Sequence, residues 1–366
     1  MFPLPSWERA REGGVSSFAS RLIAWQRQHG RHDLPWQAAS AYQVWLSEIM
    51  LQQTQVATVI PYYQRFIASF PSIAALADAT EEQVLAHWSG LGYYARGRNL
   101  HAAAKRIVAE HDGALPAGLD ALTNLPGIGR STAGAILSAG FGVRAPILDG
   151  NVKRVLARHH AVAGYPGENA VANRLWEHAA AHTPYERVAD YTQAIMDLGA
   201  TLCTRANSRC GECPVASSCV ARATDSVDRY PEPRPKKTLP VRRSRMFVVV
   251  DDRGDCLLER RPPTGLWGGL WSPPERSADQ SLPDFLTEIG VLERAVIDRH
   301  PMPSFRHSFT HFHLDIEPIR VDLNGRPAAI ADADRWRWYG SGSNESLGLS
   351  AVAVRLLSLV KPLELT

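Results

Sequence analysis

Apolar positions recur at two different periods along this 366-residue chain. Before residue 225, stretches such as "AYQVWLSEIMLQQTQVATVIPYYQRFIASF", "TEEQVLAHWSGL", "ARGRNLHAAAKRIVAEH" and "NRLWEHAAAH" carry them at helical spacing, punctuated by Pro and Gly. This predicts an almost wholly α-helical domain over residues 1–225. Beyond residue 245 the period falls to two. "RMFVVVDDRGDCLLERR" reads as two strands joined by a turn at 252–254, and "FTHFHLDIEPIRV" alternates with period two. An α+β domain over 245–366 follows. Residues 226–244, with four prolines and almost no apolar periodicity, read as an extended linker.

The length suits two domains, each burying its own core. No stretch approaches the ~18 uninterrupted apolar residues of a membrane span, and the opening "MFPLPSWERAREGG" lacks a basic flank followed by an apolar run. The expectation is a soluble, cytoplasmic protein with no membrane partner. Net charge is only +3, but seven Lys/Arg stand against two Asp/Glu in residues 226–245. A basic linker suits a polyanion such as DNA; a solvated spacer would look the same.

Four of the five cysteines crowd into 203–219 as Cys203-x6-Cys210-x2-Cys213-x5-Cys219. Such crowding inside a cell points to metal ligation rather than disulfides. The spacing suits a [4Fe–4S] cube, and also zinc, although zinc usually takes two separated CxxC pairs. Cys256 reads as a plain buried side chain in a strand.

Residues 125–152, "LPGIGRSTAGAILSAGFGVRAPILDGNV", fit neither nucleotide-loop template. Thr132 stands where a dinucleotide fingerprint needs its third Gly, and Ala135 where a P-loop needs Lys. What remains is a tight turn between helices, over about 120–140, in which Gly127 and Gly129 let backbone N–H groups approach a phosphate. Asp149 reads as a helix N-cap. Glu48 is the only acid in "AYQVWLSEIMLQQTQVATVIPYY"; apolar neighbours would desolvate it and favour its protonated form, as a general acid requires, whereas a surface-facing helical Glu is the plainer reading.

"LPGIGRSTAGAIL" followed by "ILDGNVKRVL" resembles the helix–hairpin–helix and following Asp of DNA base-excision glycosylases, and the cysteine run resembles the iron–sulfur loop of the endonuclease III branch. Within that branch, "LSEIMLQQTQV", "GLGYYARGRNL" and "FRHSFTHFHLDI" resemble the adenine-glycosylase family, and the similarity spans nearly the whole chain. It implies a multidomain fold: an all-α helix–hairpin–helix domain with an iron–sulfur loop, then an α+β Nudix (MutT-like) domain. It also implies a [4Fe–4S] cluster on Cys203, Cys210, Cys213 and Cys219. By the same resemblance Glu48 protonates the adenine and assists water, ionised Asp149 stabilises the cationic sugar, and Asn151 positions Asp149.

Strand-cutting relatives carry a Schiff-base lysine where Ser131 stands, so the resemblance implies a monofunctional enzyme that leaves an abasic site. Lys153 is the nearest alternative amine for weak lyase activity. Gln53, Thr54, Leu91 and Tyr93 are expected to fill the gap left by a flipped adenine and to probe the opposite base, with core packing the plainer role for Leu91 and Tyr93. Trp36, Gln37 and Gln193 match adenine-pocket positions.

From Gly269 the chain threads on a Nudix box. Gly269, Glu275, Glu288, Gly290 and Val291 fit, but Pro283 replaces the Arg, Asp284 a Glu and Thr287 one of the paired glutamates. The fold is therefore expected without the hydrolase activity. Phe309-Thr310-His311 stands where the family reads 8-oxoguanine; His311 and His313, at i and i+2, would otherwise mark a polar strand face. The function implied is hydrolysis of the N-glycosidic bond of adenine opposite 8-oxoguanine or guanine, in base excision repair, by a monomer on double-stranded DNA. The alternative is a Nudix-type nucleotide pyrophosphohydrolase with a DNA-binding domain. A noncatalytic iron–sulfur DNA-binding module is a third reading, which Glu48 and Asp149 together argue against.

Overall fold

The computed structural model describes residues 17–37, 40–235, 238–262, 265–327, 330, 334–340 and 347–360. Before residue 240 the described residues form helices and no strand: α1 (Ser17–His29), α2 (Ala41–Leu51), α3 (Val56–Ser69), α4 (Ile73–Asp78), α5 (Glu81–Trp88), α6 (Ala95–Glu110), α7 (Leu119–Thr123), α8 (Arg130–Ala135), α9 (Gly150–His159), α10 (Asn169–His182), α11 (Val188–Thr201) and α12 (Val220–Ala223). A π-helical turn, Ile136–Gly140, prolongs α8. The long apolar run from residue 41 breaks at 52–55, where Gln53 takes a left-handed φ of 58° and separates α2 from α3.

By their contacts the residues group into two compact units, Met1–Asp78 with Asn99–Lys236, and Ala79–Arg98 with Lys237–Thr366. The core of the first is built on Phe18, Leu22 and Trp25 of α1, Val152, Val155 and Leu156 of α9, Leu175 of α10, and Tyr191, Ile195 and Leu198 of α11. In α9 the apolar residues Val152, Val155 and Leu156 lie along one face, and that face is buried in this core.

The second unit is centred on one sheet. Its strands are β1 (Val241–Val250), β2 (Cys256–Arg260), β3 (Trp271–Ser272), β4 (Glu275–Ser277), β5 (Val296–Pro301), β6 (Phe305–Ser308), β7 (His313–Leu323) and β8 (Trp336–Tyr339). The order is β3-β2-β1-β7-β5, with β4 on β1, β6 on β7 and β8 on β2. β1 and β7 run parallel from Val241 opposite His313 to Val250 opposite Asp322. The run "MFVVV" is unbroken because both its faces are covered. Met246, Val248 and Val250 pack with α14 (Ala351–Val360), whereas Phe247 and Val249 pack with α13 (Leu282–Glu288), the Phe247 ring stacking on Phe285 at 4.1 Å.

Two details differ from the sequence reading. β1 begins at Val241, so Arg242, Arg243 and Arg245 of the basic stretch lie on a strand. Residues 79–98, which the sequence reading put within the helical domain, group with the sheet. Their attachments include polar bonds: Tyr94 Oη donates to the Leu349 carbonyl at 2.6 Å, Arg98 Nη1 to the Gly268 carbonyl at 2.5 Å, and Trp271 Nε1 to the Glu82 carboxylate at 3.1 Å. Periodicity cannot report such bonds.

Candidate functional site

Two carboxylates converge in the helical unit. Glu48 lies in the last turn and a half of α2, flanked by buried Ser47, Ile49 and Met50 and only partly accessible itself. Burial, with the charge of Asp149 adding to it, pushes its pKa up to about 7. That electrostatic coupling brings together two residues a hundred positions apart in sequence.

Asp149 is the N-cap of α9 and accepts the Val152 N–H on Oδ1 at 2.8 Å. Burial raises its pKa also, but the Val152 and Asn151 N–H groups and the charges of Arg154 and Lys153 pull the other way. Helix N-terminus and cations favour its anion, whereas Glu48 has only burial and a neighbouring negative charge.

The chain before Asp149 is braced from the hairpin: Ser131 Oγ accepts the Leu148 N–H at 3.0 Å. Behind it, Arg154 donates to Asn151 Oδ1 at 2.8 Å, to the Gly199 carbonyl at 2.6 Å and to the Cys203 carbonyl at 2.7 Å. Gly199 on α11 lets α9 come this close, because a Cβ there would stand 2.6 Å from that of Asn151. Ser131 and Arg154 thus brace the chain that carries Asp149 and Asn151, and Asp149 lies near enough to Glu48 for its charge to act there.

In the hairpin, Gly127 has a φ of +79°, and a Cβ on it would lie 2.9 Å from the Asn99 Cβ. Glycine is required there by the fold itself. Gly129, the N-cap of α8, has an ordinary φ of −87° and open space where a Cβ would be. Nothing within the protein demands its glycine, and its backbone lies open to an approaching phosphate.

The expected adenine-pocket residues are tied to a buried ion pair. Asp197, fully buried, pairs with Arg31 at 2.7 Å, and Gln193 Nε2 donates to the same carboxylate at 2.8 Å. The Gln37 amide accepts the Leu34 N–H and donates to the Arg31 carbonyl, so the fold already uses both its ends. Trp36 is buried, edge-on to Tyr63 at 5.4 Å. Gln53 is exposed, and beside it Thr54 is half-buried.

In the sheet unit, Gly90 and Gly92 take positive φ, and Tyr93, itself at φ 49°, projects to 49% exposure under the Arg96 guanidinium. Leu91 is buried. Phe309 lies in a turn closed by its N–H on the Phe312 carbonyl at 2.9 Å, which ends β6 before β7 starts. His311 therefore does not share a strand face with His313. Phe309 stacks on buried Phe312 at 4.6 Å, leaving Thr310 and His311 exposed.

The Nudix acids are engaged. Arg276 pairs with Glu259 at 2.6 Å and with Glu288 at 2.5 Å, Arg335 bridges the same two, and Arg261 pairs with Glu275 at 2.9 Å. Cations of the protein hold the carboxylates that a metal would need.

Cys203, Cys210, Cys213 and Cys219 line one cavity together with Arg158 and Leu202. The Cys213 thiol is pushed up to about 11, by burial first and then by the other three thiolates. Four thiolates this close call for a bound cation, so the donor set fits a metal centre. Arg158 is buried beneath the loop and donates to Cys203 Sγ at 3.4 Å, Ser208 Oγ at 2.7 Å and the Tyr230 carbonyl at 2.8 Å.

Sequence reasoning missed Arg154, Arg158 and the Arg31–Asp197 pair. Asp197 carried a signal like that of Glu48, an acid among apolar neighbours in a helix; the arginines carried none, since most of their partners lie in distant segments.

Comparison with known proteins places these features. Residues 46–181 match the HhH-GPD superfamily of base excision DNA repair proteins, and residues 245–359 match the NUDIX domain. Adenine DNA glycosylase of Buchnera aphidicola subsp. Schizaphis graminum is 38% identical over 84% of this chain and 88% of its own length. The Homo sapiens adenine DNA glycosylase is 34% identical over 88% of this chain and 70% of its own. A thermostable thymine-DNA glycosylase structure superposes with a TM-score of 0.52 at 24% identity, covering 57% of this chain and 95% of that one, which establishes the helical fold.

Proposed function

This chain belongs to the adenine DNA glycosylase family, and from that premise we propose that it removes adenine mispaired with 8-oxoguanine or guanine in double-stranded DNA and stops at the abasic site. The observation that carries the reading is the convergence of Glu48, whose pKa burial raises to about 7, with Asp149, whose cap bonds and neighbouring cations oppose the effect of burial. Glu48, neutral near pH 7, donates its proton to the departing adenine as the C1′–N bond breaks. Asp149, anionic at the helix N-terminus, faces the positive charge left on the sugar. Glu48, now a carboxylate, accepts a proton from the water that adds at C1′. Adenine and an abasic site result.

The monofunctional outcome rests on Ser131, whose hydroxyl forms no Schiff base and is committed to the Leu148 N–H. Phosphates lie against Gly127 and Gly129, and the exposed pair Thr310 and His311 reads the base opposite adenine. Tyr93, Gln53 and Thr54 contact the opened duplex. Leu91 joins them only if its side chain leaves the position it occupies here. Trp36, Gln37 and Gln193 form the adenine pocket. The four cysteines hold a [4Fe–4S] cluster, which cross-links the loop beside α9 when bound. The enzyme works as a monomer on nucleoid DNA. Among the described residues no helix is long and apolar enough to cross a membrane.

The test is a duplex carrying one adenine opposite 8-oxoguanine. Strand scission only after alkali supports the reading. Hydrolysis of nucleotide pyrophosphates with no adenine release would sink it, and the ion-paired Nudix acids weigh against that result. Iron and sulfide in a 4:4 ratio per chain are expected; stoichiometric zinc in a colourless protein overturns the cluster assignment.

A further inference from the structure

Far along α9 from Asp149, four histidines that the proposed reaction does not use come together. His160 and His182 meet Nε2 to Nε2 at 2.8 Å. His178, one turn before His182 on α10, stacks on His160 with ring centres 3.7 Å apart and planes 5° from parallel. His159 brings a ring nitrogen within 4.8 Å of the ligand atoms of His160 and His182. It is only 6% exposed, and its Nδ1 is buried with no hydrogen-bond partner. Phe18 of α1 packs on His182 at 4.1 Å and edge-on to His159 at 4.7 Å.

A buried imidazole nitrogen left without a partner costs roughly 1–3 kcal/mol. A cation that takes its lone pair removes that cost. Three imidazoles within reach of one another, with no carboxylate or thiolate among them, suit zinc and its neighbours in the transition series rather than calcium or magnesium. Their neutral form is the one that ligates, and burial, with neighbouring charges from the other rings and Arg21, disfavours protonation.

We infer that His159, His160 and His182 form a structural Zn2+ site that clamps the end of α9 to α10, with His178 stacked behind His160. Two nitrogens bound to tetrahedral zinc at about 2.0–2.1 Å stand about 3.3 Å apart, so the His160 and His182 rings part slightly. The hydrogen that bridges them moves to Nδ1 of its own ring, with no change in charge. The clamped helix begins at Asp149, so the metal stiffens the element that carries the catalytic anion.

The inference is tested on purified protein with its cysteine-bound metal intact, dialysed against a chelator and titrated calorimetrically with Zn2+. One ion per chain and a raised melting temperature are expected. His160→Gln and His182→Gln should each lose at least tenfold in affinity, and His29→Gln, an exposed histidine on α1, should bind as the parent does. Zinc binding unchanged in both cluster variants would assign it to the cysteines and overturn the inference. Should those variants fail to fold, the unaltered protein decides alone: Co2+ must give the visible absorption of a tetrahedral nitrogen site, and its absence rejects the site.

Discussion

Ser131 Oγ accepts the backbone N–H of Leu148 at 3.0 Å, so the residue standing where strand-cutting relatives place a lysine braces the chain one position before Asp149. Its hydroxyl contributes by geometry as well as by lacking an amine. Ser131→Ala leaves that N–H unpaired and loosens the cap, and single-turnover adenine release should slow by about tenfold, equivalent to about 1.4 kcal/mol. Duplex affinity, measured in parallel, should stay within about twofold. Ser131→Lys should yield a borohydride-trappable protein–DNA adduct that the parent does not form.

Glu48→Gln removes the donated proton while keeping the shape of the side chain. Adenine release should fall by roughly 10²–10⁴-fold with duplex binding retained. Unchanged turnover would show that the acid is misassigned.

The raised pKa of Glu48 fixes the direction of two pH effects. The acid acts while protonated, so the single-turnover rate should hold below pH 7 and decline about tenfold per unit above it. Stability moves the same way. The folded state binds this proton between the ordinary value of 4.5 and about 7, while the unfolded chain releases it, so stability is lost as pH rises through that window. Glu48→Gln should therefore melt higher than the parent at pH 8, and the two should converge near pH 4.

The two hairpin glycines should separate stability from binding. Gly127→Ala meets both a left-handed backbone and the Asn99 Cβ, and should cost about 1–3 kcal/mol in chemical denaturation. Gly129→Ala meets neither and should leave stability within about 0.5 kcal/mol, yet weaken duplex binding by holding the phosphate away.

Arg276 lies between Glu259 and Glu288. Arg276→Ala should destabilise the sheet unit by about 3 kcal/mol, near the lower end for removing one partner of a buried pair, because Arg335 still reaches both acids. Nucleotide pyrophosphatase activity should be absent from parent and variant alike.

Much of this was legible in the chain. The switch of apolar period marked a helical part and a sheet part, because a helix and a pleated strand each bury one face at a fixed repeat. Glu48 stood out as the only acid in an apolar stretch, Asp149 as a cap, and four of the cysteines as one closely spaced run. The left-handed residue at Gln53 that divides α2 from α3 was not legible, since glutamine carries no local signal for that conformation. The turn that separates Phe309 from β7 was read as strand, although the two consecutive polar residues Thr310 and His311 break the alternation there.

By itself the sequence determined the elements, their buried faces and the chemical types available, because propensity, periodicity and ligand spacing are local properties of the chain. Only the tertiary structure decided that Glu48 and Asp149 lie close enough for the charge of one to act on the other. There α9 directs N–H groups and cations at Asp149, while α2 buries Glu48 beside that negative charge. It likewise decided that residues 79–98 attach to the sheet and that His159, His160, His178 and His182 meet, since contacts between distant segments follow from packing and leave no periodic trace.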